Sequence, residues 1–400
     1  MAAAADAAFG ADLYQVLAED AADTIFSPAS VAAALRLAWC GARGQTADEL
    51  ARALHLNGAL RPEDVAVSGL SLVAAGQVAA AGRESASGAA GASGGADGPA
   101  TFRAPDSVWV QSGLPLRPEF TARLSQAAAT LADADFAAAP EAARTEINRV
   151  IAAQTAGKIT GLLPPGTIGA MTRLVLANAV YLKAAWTQPF PEQATAEAPF
   201  YPDAPGAPGR PGRADGPALT VPMMRGTAAR QYLRGDGYQA VLLPYRDLSL
   251  AMAVVLPDGL LAALRPKVAA AGLGGLLAGT ARHQVALSLP RFRLEAAFNL
   301  IPALRRLGVT RAFGGEADFT GITDAEPLQI GAVAHKAYVD VDEHGTEAAA
   351  ATAIAFRPLA ATRPPPPVTM VVDRPFLIAI VDMATSLPLF LGQVTRPGTG

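Results

Sequence analysis

"VDVDEHGTEAAAATAIAFRPLAATRPPPP", Val339 to Pro367, sets four alanines in a row, Ala348 to Ala351, behind the acidic turn Asp342-Glu343-His344-Gly345. A proline-dense tail follows. Alanine in series favours a helix, and proline in series an exposed, extended linker. Neither explains an acidic turn, a glycine and a run of small side chains in that order, so the segment has to be read against the rest of the chain.

Around it lie 400 residues, 51% of them hydrophobic, enough to bury a large core as one big domain or two ordinary ones. A formal net charge of −3 opposes a nucleic-acid or anionic-membrane partner, which needs a concentrated basic face. Among the basic residues only Lys158, Lys183, Lys267 and Lys336 are lysines. With so much Ala, Gly and Pro, that matches GC-rich codon bias and carries no function. Cys40 is the single cysteine, so neither an internal disulfide nor a multi-cysteine metal site can form. His55, His283, His335 and His344 lack ligand spacing. No apolar run reaches the ~18 residues of a membrane helix. The opening stretch carries Asp6 and Asp12 and no basic start, so no secretory signal is read. The expected compartment is cytoplasmic, or extracellular if the chain is a processed form.

Along the chain, Phe9, Leu13, Val16 and Leu17 predict an opening helix. A short strand at Thr24–Phe26 precedes Ser27-Pro28, where Pro28 starts a helix that ends near Gly41 and Gly44. Thr46 and Glu49 have capping-box spacing for the next helix. "EAARTEINRVIAAQTAG" is a helix between the buried strands "SVWVQSGLPL" and "LVLANAVYLKAAW". "YQAVLLPY", "SLAMAVVLP", "VALSLPRFRLE", "AYVDVDE", "FLIAIVDM" and "LPLFLGQVT" read as further strands, with helices over 259–278 and 298–307. Residues 81–100 are low in complexity, and 202–217 form a Pro/Gly loop. Strands and helices do not alternate strictly, which fits an α+β architecture in one domain, 1–400.

Catalytic motifs fail on inspection. Gly91-Ala-Ser93-Gly-Gly95 has the spacing of a nucleophile elbow but lies in the low-complexity segment, where no strand-turn-helix presents the serine. Gly272-Leu-Gly274 has Leu277 where a dinucleotide loop needs glycine, and Gly157-Lys158-Ile159 lacks the hydroxyl of a phosphate loop. An enzyme is not expected, nor a cofactor or a metal.

A family resemblance is carried by "IFSPASVAAALRLAWCGARGQTADEL", "NRVIAAQTAGKITGLLPPG", "LVLANAVYLKAAWTQPF", "VPMM", "ADFTGIT", "AVAHKAYVDVDEHGTEAAAATA" and "DRPFLIAIVDMATSLPLFLGQV", in that order. These resemble the serpins, from about Phe9 to Pro397. The resemblance implies three β-sheets within a shell of about eight or nine helices. It also implies an exposed reactive-centre loop, about 343–367, and a metastable native state. It implies a serine protease inhibitor that acts as a suicide substrate. The loop is cut, the protease is held as an acyl ester, and the loop inserts as a new strand.

The resemblance places a hinge at Glu343, Gly345, Thr346, Glu347, Ala348, Ala349, Ala350, Ala351 and Thr352. Strand alternation would turn Thr346, Ala348, Ala350 and Thr352 inward, where small uncharged side chains enter without overpacking. Glu347 would stay in water. Counting as the family does puts the reactive bond at Leu359–Ala360, beside Phe356, Arg357 and Pro358. Arg357 and Arg363 each precede a proline, and serine proteases cut poorly there. Leu359 suits chymotrypsin-, elastase- or subtilisin-like targets. "ATRPPPP" lengthens the distal loop, so Phe356 and Ala360 stay open as baits.

Ser27, Ser30, Asn178 and His335 match the family's shutter, and Trp186 and Arg291 its breach, with Arg291 expected to pair with Glu343. His344 departs from a usual Glu or Lys, and Asp106 from a common Asn. Residues 70–100 carry only Arg83, so heparin activation is not expected. A monomer that forms a covalent complex with a target serine protease is expected. A non-inhibitory carrier, chaperone or storage role, or cross-class inhibition of cysteine proteases, is the alternative.

Overall fold

A computed structural model of the chain describes residues 2–20, 22–56, 101–126, 129–202, 218–246, 249–346 and 366–398. Among them are seven α-helices and sixteen strands. The helices are α1 (Ala2–Leu17), α2 (Pro28–Gly41), α3 (Gly44–Ala53), α4 (Pro118–Gln126), α5 (Pro140–Gln154), α6 (Leu264–Leu277) and α7 (Ile301–Arg306). The first half of the strands comprises β1 (Thr24–Phe26), β2 (Thr101–Arg103), β3 (Asp106–Gln111), β4 (Thr130–Ala134), β5 (Leu174–Ala185), β6 (Ala196–Phe200), β7 (Leu219–Gly235) and β8 (Tyr238–Pro244). The second half comprises β9 (Leu250–Pro257), β10 (Ala281–Pro290), β11 (Phe292–Asn299), β12 (Ile330–Val341), β13 (Gly345–Thr346), β14 (Val368–Val371), β15 (Phe376–Asp382) and β16 (Pro388–Val394).

The main sheet runs β11-β12-β13-β5-β3-β4, with β2 also on β5. Its centre is the parallel pair β5–β12, in register from Leu174↔Ile330 to Tyr181↔Tyr338. Both strands are buried on two faces, which explains their continuous apolar sequences. On one face Val175, Ala177, Ala179 and Tyr181 of β5 and Ala332, Ala334 and Tyr338 of β12 pack under Ile147 and Ile151 of α5. The alternate residues Val180, Leu182, Ala184, Ala337, Val339 and Val341 face the second sheet.

That second sheet runs β1-β16-β15-β9-β8-β7-β10-β14, with β6 on β7. The α+β architecture is as expected. The three expected sheets form two hydrogen-bonded units, because β7 is one 17-residue strand that pairs with β6 and β10 along its first part and β8 along its last.

Several local expectations change. The predicted strand "VALSLPRFRLE" splits at Arg291 into β10 and β11, which join different sheets. Pro290 has no N–H to continue the ladder, and the Arg291 N–H turns to Pro222 O at 2.9 Å. The helix expected over 298–307 begins only at Ile301, since Phe298 and Asn299 still pair with His335 and Ala334. The helix expected over 259–278 is a 3-10 turn at Leu261–Ala263 followed by α6, broken at Gly272 with φ 63°. Thr46 and Glu49 form no capping box. Both lie inside α3 and reach outward, Thr46 Oγ1 accepting from Asp318 N and Glu49 from Thr310 N and Arg311 N. The start of α2 is as read, with Pro28 in its first turn and Ser27 Oγ capping Ser30 N at 3.2 Å. The low-complexity segment 81–100, the elbow-like serine within it and all but the first residue of the 202–217 loop lie outside the described residues.

Candidate functional site

At Val341 the chain leaves β12, turns through 342–344 and comes back as β13 between β12 and β5. Thr346 pairs with Val341 on one side and Ala184 on the other, and Gly345 with Ala185. Below this point β5 and β12 pair directly. The sheet therefore stands open at one end, two residues deep.

The turn is built by its own side chain. Asp342 Oδ1 accepts from His344 N at 2.8 Å and Gly345 N at 3.1 Å, an Asx turn. Gly345 is required by contact, because a Cβ there would fall 2.1 Å from Ala184 O. Trp186 grips the turn from beneath, its N–H donating to His344 O at 2.7 Å and its Nε1–H to Asp342 O at 3.0 Å. Tyr245 stacks on Trp186, with ring centroids 4.6 Å apart, and its hydroxyl meets Thr346 Oγ1 at 2.7 Å. Thr346 is fully buried.

Glu343 is buried beside this turn, its carboxylate held by Arg291 Nε at 2.9 Å to each oxygen and by the Thr195 hydroxyl. Burial pushes the Glu343 pKa up, but the hydrogen bonds from Arg291 and Thr195 outweigh it and hold it below the usual range. His344 Nε2 lies 2.9 Å from Glu192 Oε1. That contact ties the turn to the 3-10 segment Glu192–Ala194.

Farther down the same line, a chain of polar groups crosses beneath the β5–β12 pair. Ser27 N donates to His335 Nε2 at 2.9 Å, which leaves the proton on Nδ1 to be donated to Asn178 Oδ1 at 2.5 Å. Asn178 Nδ2 then donates to Asp106 Oδ1 and contacts Ser30 Oγ, and Ser30 Oγ donates to Asp106 at 3.2 Å. His335 and Asn178 are register partners across the central pair, so their bond spans the line between β5 and β12. Burial lowers the His335 pKa to about 3, keeping the ring neutral. Burial pushes Asp106 up to about 7, against the hydrogen bonds from Asn178 and Ser30.

Ser27, Ser30, Asn178 and His335, expected as the shutter, thus form one hydrogen-bonded cluster. Trp186, Arg291, Glu343, Gly345 and Thr346 form another at the open end. Glu347, Ala348 to Ala351, Thr352, Phe356, Arg357, Pro358, Leu359 and Ala360 lie outside the described residues. Sequence reading missed Tyr245, Thr195 and Glu192, whose elements are far from the hinge in sequence and carry no spacing that points to it. Asp106 was visible only as an unusual residue. Its place as the last acceptor of the chain emerges from the packing of β3 beside β5 and α2. Among the described residues no cluster of three or more His, Cys, Asp or Glu could hold a metal ion.

This arrangement, a sheet parted at one end with a glycine and a small residue in the gap, belongs to a known class. The family profile described as Serpin (serine protease inhibitor) matches residues 4–397, and the chain belongs to the serpin family. It is 33% identical to an uncharacterised serpin-like protein of Thermococcus kodakarensis over 98% of this chain and 85% of that protein. It is also 33% identical to the leukocyte elastase inhibitor of Bos taurus, over 98% of this chain and 99% of that one. The solved structure of human thyroxine-binding globulin superposes with a TM-score of 0.81 at 23% identity, covering 100% of this chain and 99% of that one. That last likeness concerns the fold alone.

Proposed function

We propose that this protein inhibits serine endopeptidases as a suicide substrate, with Leu359–Ala360 as the bond offered. One observation carries the reading. Gly345 and Thr346 already occupy the gap between β12 and β5, and the sequence continues them so that Thr346, Ala348, Ala350 and Thr352, all small and uncharged, fall on the inward phase of a strand while Glu347 falls on the outward one. In this scheme the protease serine attacks the Leu359 carbonyl, the Leu359–Ala360 amide breaks, and the new amine of Ala360 departs. The acyl ester remains on Leu359. Freed at that end, residues 347 onward extend β13 downward and part β12 from β5.

Magnitudes permit the outcome. From Gly345 to Leu359 the extended chain spans roughly 46 Å at ~3.3 Å per residue, against a diameter of about 55 Å for a globule of this length. Ladder bonds for a new strand, on the order of 10–20 at ~0.5–1.5 kcal/mol each, match or exceed a protease's own ~5–15 kcal/mol of stability. Distortion of the captured active site is then feasible.

Mixing the protein with chymotrypsin, elastase, subtilisin and trypsin tests this. A complex that survives SDS is expected with at least one of the first three, together with a released peptide beginning at Ala360. Leu359→Arg should move the preference to trypsin. Clean cleavage without a complex would overturn the inhibitory reading in favour of a carrier or storage role, and a peptide starting elsewhere would move only the bond.

A further inference from the structure

Where α2 ends, a cavity of about 330 Å³ opens between that helix, α4 and the turn at Thr320-Gly321. Three guanidinium groups line it, those of Arg43, Arg117 and Arg123, against one carboxylate, Glu119. Arg43 Nη1 donates to the carbonyls of Cys40 and Ala42, and the group lies flat on Gly321, where a Cβ would fall 2.5 Å from Nη1. Arg123 is hydrogen-bonded with the Cys40 thiol. Two guanidiniums therefore converge on Cys40, one at its carbonyl and one at its sulfur. Arg117 pairs with Asp324 at 3.1 Å, but the two side chains are 43% and 74% exposed, so water screens that pair. Among the described residues no carboxylate forms an ion pair with Arg43.

Planar guanidinium forks match the oxygens of a tetrahedral oxyanion, and converging positive charge in a concave site concentrates anions. A volume of this size holds about ten waters' worth of space, more than a halide needs and enough for one or two phosphate groups. We propose that this cavity binds a compact phosphate-bearing anion. Its two walls belong to opposite sides of the sheet line: Arg117 and Arg123 come from the segment that follows β3, on the β5 side, and Gly321 from the segment leading into β12. An anion shared between them ties the two sides together and favours the closed sheet over the strand-inserted one. This second half rests on the suicide-substrate reading, whereas the binding site itself does not.

Calorimetric titration of the intact protein with inorganic phosphate and pyrophosphate, at an ionic strength held constant with chloride, tests the site. Saturable one-to-one binding is expected, tighter for pyrophosphate. It should weaken by about tenfold or more in the double variant Arg117→Gln/Arg123→Gln and recover in part with Lys at both positions. Arg43 is left alone because it caps α2. Should the double variant fail to fold, Glu119→Gln, which removes the opposing carboxylate, is expected to tighten binding. Absence of saturable heat, unchanged affinity in these variants, or preference for a heparin-type sulfated oligosaccharide overturns the site. Loop-cleaved protein should bind pyrophosphate more weakly than intact protein. Equal affinity would overturn the tie between the two sides of the sheet and leave the site standing. Neither result bears on whether an SDS-stable protease complex forms.

Discussion

At the scale of single residues, the polar chain beneath the central strands is polarised in one direction. Ser27 donates to His335, His335 to Asn178, and Asn178 to Asp106, which also receives Ser30. Asp106 is the terminal acceptor, and no cation offsets its burial. Its pKa near 7 in the folded protein exceeds that of the unfolded chain, so between about pH 4 and 7 the native state holds a proton that the unfolded state has lost. This group's contribution falls as pH rises through that window, by about 1.4 kcal/mol per unit. His335 acts oppositely. Its folded pKa of about 3 lies below the unfolded value, so its contribution rises with pH up to about 6.5. The two slopes offset each other over most of the same range. Asp106→Asn removes the first and exposes the second. Urea midpoints at about pH 4.5, 6 and 8 should show the variant gaining stability with pH, and exceeding the parent at the highest by a few kcal/mol. A constant gap between variant and parent would mean that Asp106 does not titrate there.

At the scale of elements, β13 is two residues long and depends on a close fit. Gly345→Val would drive a Cβ into Ala184 O and expel the turn from the gap, leaving Trp186 Nε1 without its partner at Asp342. Thr346→Arg would bring a charge to a fully buried position whose threonine hydroxyl meets the neutral hydroxyl of Tyr245, at a cost of several kcal/mol. Because Thr346 is already inside the sheet in the intact protein, that variant should melt earlier before any protease is added. Each ~1.4 kcal/mol added to the barrier slows insertion about tenfold, while hydrolysis of the ester is untouched. Thr346→Arg is therefore expected to be cut at the same bond and at a similar rate, yet to release active protease. Glu347→Arg, on the outward phase, should be much milder. The stoichiometry of inhibition distinguishes them, and if both inhibit at the parent's stoichiometry, strand insertion is not the mechanism.

At the scale of the whole molecule, the proposed mechanism asks the main sheet to accept one more strand. β5 and β12 satisfy each other directly below the hinge, so a strand inserted between them exchanges one ladder for two. On the proposed mechanism the obstacle is α5, packed over residues of both strands, together with Lys336, whose ammonium ties β12 to Thr160 O at 2.9 Å. These contacts raise the barrier without removing the gain. A single cut in the loop should then stabilise the protein, the reverse of ordinary nicking. Thermal melts of intact and loop-cleaved protein should differ by on the order of 10 °C or more, with the cleaved form higher. Equal or lower stability after cleavage would mean that the loop does not enter the sheet.

Much of this was legible in the chain itself. The buried runs of β5, β9 and β15 are strands because continuous apolar sequence has to be covered on both faces, and Ser27-Pro28 starts α2 because its cap and its fixed φ are local properties. The order of small residues after Gly345 is equally local. Other features needed the folded molecule. Arg291 divides an apparently continuous strand because Pro222 of another strand accepts its N–H. Tyr245 and Thr195 meet the hinge only where β8 and the segment before β6 converge on it. Asp106 becomes the end of a proton-donor chain because β3 lies beside β5 and above α2. Strand and cap preferences act over a few residues and can be read in order along the sequence. Hydrogen-bond partners separated by 52 to 308 residues are chosen by packing, and only the tertiary structure decides them.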